Sequence, residues 1–137
     1  MSLTKRLILT AAVIVAVPLL WYGGMVLSFT AMPPVEEFLY SRRFDSADWK
    51  KKSYDSDIMW PTRLRMIDDL MSRRLIDGRR RAEIEDLLGP PDPEYSSETT
   101  MSYYLGPERG LMRIDSEMLE IELDASGNVK IYHIHRD

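Results

Sequence analysis

Leu119-Glu120-Ile121-Glu122-Leu123 runs into Asp124-Ala125-Ser126-Gly127-Asn128 and then into Val129-Lys130-Ile131-Tyr132-His133-Ile134. The first five residues alternate strictly, sending three apolar side chains to one face of a strand and two carboxylates to the other. The next five contain Ser126-Gly127 and read as a hairpin turn, so Val129 to Ile134 returns as an antiparallel neighbour. Upstream, Met101 to Leu105 reads as a further strand. Together these segments predict a three- or four-stranded antiparallel meander.

Before the strands the period changes from two to that of a helix. Pro61 opens a stretch in which Leu64, Ile67, Leu70 and Met71 recur at helical spacing, and Arg73 and Arg74 close it where cations suit the C-terminal dipole. Asp77-Gly78 turns the chain. A second helix is expected from about Arg80 to Leu88, with Ala82, Ile84, Leu87 and Leu88 as its apolar set, and Gly89 followed by Pro90-Pro91 stops it. The predicted fold class is α+β, two helices on one face of the sheet in the order helix, helix, strand, strand, strand. Its core is expected to set Leu64, Ile67, Leu70, Ile84, Leu87 and Leu88 against Leu119, Ile121, Leu123 and Val129.

The order Leu75-x-x-Gly78-x-x-x-x-x-Ile84-x-x-x-Leu88-Gly89-x-Pro91, followed by Tyr104-Leu105-Gly106 and Gly127-x-Val129, resembles the SmpA/OmlA (BamE-like) family of small envelope proteins. The resemblance covers about residues 64–134. It implies a fold shared with β-lactamase-inhibitor proteins and a non-enzymatic, protein-contacting role in the cell envelope. Two departures stand out. Arg79 and Arg80 occupy positions where the family has an apolar residue and then a helix-capping hydroxyl, and the family's lipidated cysteine is absent.

Anchoring then falls to the N-terminus. From Leu7 to Met32 no residue is charged, and this is long enough to span a bilayer. Lys5 and Arg6 precede the segment and Glu36 and Glu37 follow it, which by the positive-inside rule puts the N-terminus in the cytoplasm and the remainder in the periplasm. An uncleaved single-pass anchor in the inner membrane is expected. A cleaved signal peptide is the alternative, and Val26-Leu27-Ser28 offers it only a poor cleavage site. Residues 1–32 are thus read as the anchor. Residues 33–57, opened by a helix break at Pro33-Pro34 and carrying Lys50-Lys51-Lys52, are read as an extended juxtamembrane arm with local helix, in which Val35, Phe38, Leu39 and Phe44 could form a short helix, and residues 58–137 as the α+β domain.

Charge narrows the function. Beyond Met32 there are 16 basic and 22 acidic residues, which argues against nucleic-acid binding. The chain has no cysteine, so disulfides and thiol chemistry are excluded. No nucleophile elbow, phosphate-binding loop or metal cluster is present, so no catalytic residue and no cofactor is expected. Asp115 with Glu117, or Glu120 with Glu122, could be posed as a catalytic pair, but on an exposed strand face they have nothing to desolvate them. His133 and His135 share a strand face, yet two ligands are too few for a metal site. The methionines, Met112 among them, read as core filler.

The candidate binding residues are Arg73, Arg74, Arg79, Arg80 and Arg81 around one turn, with Tyr103, Tyr104 and Tyr132 as aromatic contacts. An envelope protein is the expected partner, with the membrane held through residues 7–32. Two alternatives remain at this point. The domain could be an inhibitor or immunity-type protein engaging a basic partner through Glu117, Glu120 and Glu122. It could also bind anionic lipid or cell-wall groups through Arg79, Arg80 and Arg81.

Overall fold

The structure, a computed structural model, describes residues 2–51, 57–110 and 113–136, so Lys52 and Met112 lie outside the described residues. The chain divides into two compact units, Met1–Glu36 and Glu37–Asp137. The first is built on helix α1 (Leu3–Tyr40). Its Leu3–Met32 portion, with a mean hydropathy of 2.0, is long and apolar enough to cross a membrane. The break expected at Pro33-Pro34 does not occur, and the helix runs on to Tyr40. Neither proline has an N–H to donate, so the pair forfeits the bonds to the carbonyls of Phe29 and Thr30, and the helix continues across that gap.

In the second unit the arm expected to be extended with local helix packs through a few of its side chains. Tyr40 stacks on Trp60 with ring centroids 4.8 Å apart. Helix α2 (Ser46–Lys50) follows, its first turn capped by Asp45, whose carboxylate accepts the Asp48 N–H at 2.9 Å. It carries Trp49 into the core with no exposed surface, and Phe44 lies against that ring. The Ser46 hydroxyl and the Lys50 ammonium donate to the carbonyls of Leu87 and Asp86. The compact unit therefore starts some 20 residues before the expected boundary at 58.

Helix α3 (Thr62–Ser72) and helix α4 (Arg81–Leu88) match the two predicted helices. Leu64, Met66, Ile67 and Leu70 of α3 and Ile84 and Leu88 of α4 are buried, with Ile76 of the intervening turn added to them. Strands β1 (Thr100–Pro107), β2 (Ser116–Leu123) and β3 (Val129–Arg136) form an antiparallel sheet in the order β1-β2-β3. Among the described residues the sheet thus has three strands. Met101, Tyr103 and Leu105 on β1 and Leu119, Ile121 and Leu123 on β2 pack against the helices. Gly106 lets β1 pass the start of α3, because a Cβ there would stand 2.9 Å from the Pro61 ring.

The β2–β3 pairing carries a bulge. Leu123 faces Val129, but Glu122 faces Ile131 and Glu120 faces His133, so one extra residue on β3 shifts the register by one. Directly paired residues share a face, and the shift therefore sends Tyr132 and Ile134 toward the core and Ile131, His133 and His135 outward.

Candidate functional site

The arginines around the α3–α4 turn do not converge. Arg73 bonds Asp69 one turn back at 3.0 Å, and Arg74, in the left-handed region at φ 52°, pairs with Asp77 at 3.4 Å. Arg81 is committed internally. Its guanidinium meets Glu85 at 3.0 Å and donates to the carbonyls of Ser97 and Glu98 at 3.2 and 3.1 Å, clamping the loop before β1. Arg79 lines a shallow cleft together with Glu83, Asp86 and Leu87. Arg80 stands at the N-cap without a hydroxyl, and the Glu83 carboxylate supplies half of the missing cap by accepting the Arg80 N–H at 2.8 Å. Of the three arginines that the anion alternative names, Arg81 is thus spent on internal bonds, Arg79 shares a cleft with two acids and Arg80 is exposed, as are Arg73 and Arg74.

The aromatic contacts also divide. Tyr103 is fully buried and donates its hydroxyl to the Gly89 carbonyl at 2.9 Å, and burial pushes its phenol well above the ordinary range. It sits on the inner face with Met101 and Leu105, so it is core and not a contact residue. Tyr132 turned inward with the β3 bulge; its hydroxyl donates to Asp77, and burial followed by that bond raises its pKa. Tyr104 alone of the three stands half-exposed on the outer face.

Two further arginines, Arg63 and Arg109, are buried. Arg63 lies over the rings of Trp49 and Tyr103 at 5.5 and 5.7 Å, donates to the Trp49 and Tyr104 carbonyls, and reaches Asp92 at 3.4 Å. Arg109 donates from its backbone and its guanidinium to Glu117, both at 3.0 Å, and to both oxygens of Asp68 at 2.8 and 2.9 Å. Burial alone would lower the Arg109 pKa, but the Asp68 bonds and the Glu117 charge outweigh it and raise it.

Glu117 itself is 0% exposed and also faces Arg136 at 3.2 Å. The expectation of an exposed Glu117 is therefore corrected. It lies on the inward face with Leu119 and Ile121, desolvated and answered by two arginines. Through Arg109, Asp68 and Arg136 it joins α3, β2 and β3 at one buried junction.

The outer face of β2 and β3 is different in kind. Glu122 meets Lys130 at 3.6 Å, and Ile131 is 52% exposed. Glu120 lies directly across from His133, its carboxylate 3.4 Å from Nε2, and diagonally from His135. One ligand atom from each of Glu120, His133 and His135 falls within 4.8 Å of the others. The third ligand that two histidines needed is thus supplied from the neighbouring strand.

Comparison with protein-family models, curated proteins and solved structures gives no match. What the site can do rests on its own geometry.

That geometry includes the two sheet edges. Beside β1 the segment 92–97 occupies the backbone groups: Asp92 N–H donates to the Ser102 carbonyl, Tyr104 N–H to the Asp92 carboxylate and Ser102 N–H to the Ser96 hydroxyl. At the start of β3 the Val129 N–H donates to the Arg79 carbonyl. Beyond Val129, β3 pairs with β2 alone among the described strands.

Proposed function

We propose that this chain is a single-pass, membrane-tethered and non-catalytic protein-interaction module of the bacterial cell envelope. Its N-terminus lies in the cytoplasm, and its α+β domain works in the periplasm. The observation that carries the reading is the contrast between the two sheet edges. β1 is sealed by segment 92–97, whereas β3 from Lys130 to Arg136 is an edge strand with Ile131 exposed on its outer face. An open edge of this kind takes an added strand from a partner, with main-chain bonds giving affinity and flanking side chains giving specificity.

The apolar Leu3–Met32 helix, with Lys5 and Arg6 at its start, supports the tether and its direction. The resemblance to the SmpA/OmlA family supports the envelope setting. The two other readings have less to stand on. An acidic inhibitor face needs Glu117 at the surface, and it is buried. An anion site needs Arg81 uncommitted, and its guanidinium is held by Glu85 and two carbonyls.

The test is a photo-crosslinking amino acid placed at Ile131 in cells, with the same group at exposed Ala125 as the control. A discrete protein adduct from Ile131 that the control lacks supports the module. Adducts to lipid alone overturn it. Topology is tested separately: a reporter fused after Asp137 that works only outside the cytoplasm should be active, with the protein retained in the membrane pellet at high salt. A reporter active only in the cytoplasm reverses the orientation.

A further inference from the structure

We propose that Glu120, His133 and His135 form a three-ligand site for a divalent transition-metal ion on the outer face of the β2–β3 hairpin. The arrangement follows from strand geometry. His133 and His135 are two apart and project from the same face. Glu120 is the cross-strand partner of His133 and the diagonal neighbour of His135, and side chains so related across an antiparallel pair lie within reach of one another.

The distances suit an ion. Donors about 2.0–2.1 Å from a tetrahedral centre stand roughly 3.3–3.4 Å apart. The Glu120–His133 pair already meets that spacing at 3.4 Å, and the whole set lies within 4.8 Å. The closure still needed, at most about 1.5 Å, is within the swing of surface imidazole and carboxylate side chains, whose terminal torsions are broad. His133 and His135 are exposed and Glu120 is half-exposed, so nothing in the core must move.

The donor set decides the class of ion. Two imidazole nitrogens with one carboxylate oxygen suit Zn²⁺ and Cu²⁺, whereas Mg²⁺ and Ca²⁺ prefer all-oxygen shells. Charge on β2 is also allotted favourably. Glu117 is held by Arg109 and Arg136, and Glu122 faces Lys130, while Glu120 faces the imidazole. Three protein ligands leave a further position for water or for a donor from another molecule.

The full chain, without a polyhistidine tag and in detergent micelles, is titrated with Zn²⁺ and separately with Cu²⁺ by calorimetry near neutral pH. One equivalent of each should bind, Cu²⁺ more tightly in keeping with the general order for divalent ions. His133→Ala, His135→Ala and Glu120→Gln should each weaken Zn²⁺ binding at least roughly tenfold, since even outer-shell changes cost that much. Glu122→Gln, on the same face, should leave it unchanged. Circular dichroism of each variant establishes that the fold is kept.

No saturable binding overturns the site, as does binding that survives the three substitutions. Unchanged affinity in Glu120→Gln alone also overturns it, because the carboxylate is what makes two histidines a site. Ca²⁺ binding as strong as Zn²⁺ would reject the class of ion.

Discussion

Glu117 and Glu120 stand three residues apart on one strand, and the two faces of the sheet use them in opposite ways. At the inner end, Glu117 is fully buried, bonded to the backbone and side chain of Arg109 and met by Arg136. On the outer face, Glu120 faces His133 among exposed side chains. The first carboxylate is fixed by what it touches inside the fold. The second leaves its imidazole partners open to solvent. The lesson extends to the arginines, because charge dense in sequence is not charge gathered in space. Arg73, Arg74 and Arg81 each close a local contact, while residues 13 and 15 apart meet on β2 and β3.

The largest test of this contrast is at the buried end. Glu117→Ala leaves Arg109 without its buried partner, and loss of one member of a buried pair costs about 3–5 kcal/mol. Denaturant unfolding should register that loss. The double variant Arg109→Met with Glu117→Leu should recover most of it, because the burial penalty of both charges is then removed together. A mild Glu117→Ala would place this carboxylate on the solvent side and collapse the contrast.

Next in size is Ile121→Ala, on the inward face between Glu120 and Glu122. Truncating a fully buried isoleucine should cost roughly 2–5 kcal/mol. That is a large share of the 5–15 kcal/mol or so by which such a domain is stable, so thermal unfolding should move down by many degrees.

How much of this was legible in the sequence depends on the range of the signal. The period-two run Leu119 to Leu123 placed the inward face correctly, and extended back by two residues it would have put Glu117 there as well. Helices α3 and α4 carried their own periodicity and stops. Helix α2 did not, since five residues with one apolar side chain, Trp49, are too short to show a period. Pro33-Pro34 misled because a proline pair weakens a helix without always ending it. The β3 bulge was invisible, and it matters most. Without it Glu120 would face Tyr132, the histidines would turn inward and the metal-ligand group would not exist.

A smaller effect separates the arginines of the turn. Arg81→Gln gives up donors to the Ser97 and Glu98 carbonyls and the pair with Glu85. A loss of about 1–2 kcal/mol is expected at the ordinary net worth of such bonds. Arg80→Ser should change the sign. A serine hydroxyl at the N-cap completes the box that Glu83 half supplies, for a gain of about 0.5–1 kcal/mol in the same unfolding measurement. Equal losses at the two positions would mean that the turn works as one cluster after all.

The smallest effect is expected on the outer face. Glu122 is half-exposed and meets Lys130 at 3.6 Å, an arrangement whose attraction is largely cancelled by solvent and by the cost of ordering two long side chains. Glu122→Ala should therefore change stability by no more than about 0.5 kcal/mol. Glu120→Ala should behave alike in unfolding, even though it removes a ligand from the His133–His135 group. The two measurements then come apart: stability follows the inner face, and metal binding follows the outer one. A one-residue slip of β2 would exchange the faces, making the glutamates costly and Ile121 tolerant. Near-neutral glutamates with a damaging Ile121→Ala hold Ile121 on the inner face and Glu120 on the outer one, and the pairing of Glu120 with His133 is then read from the metal titration.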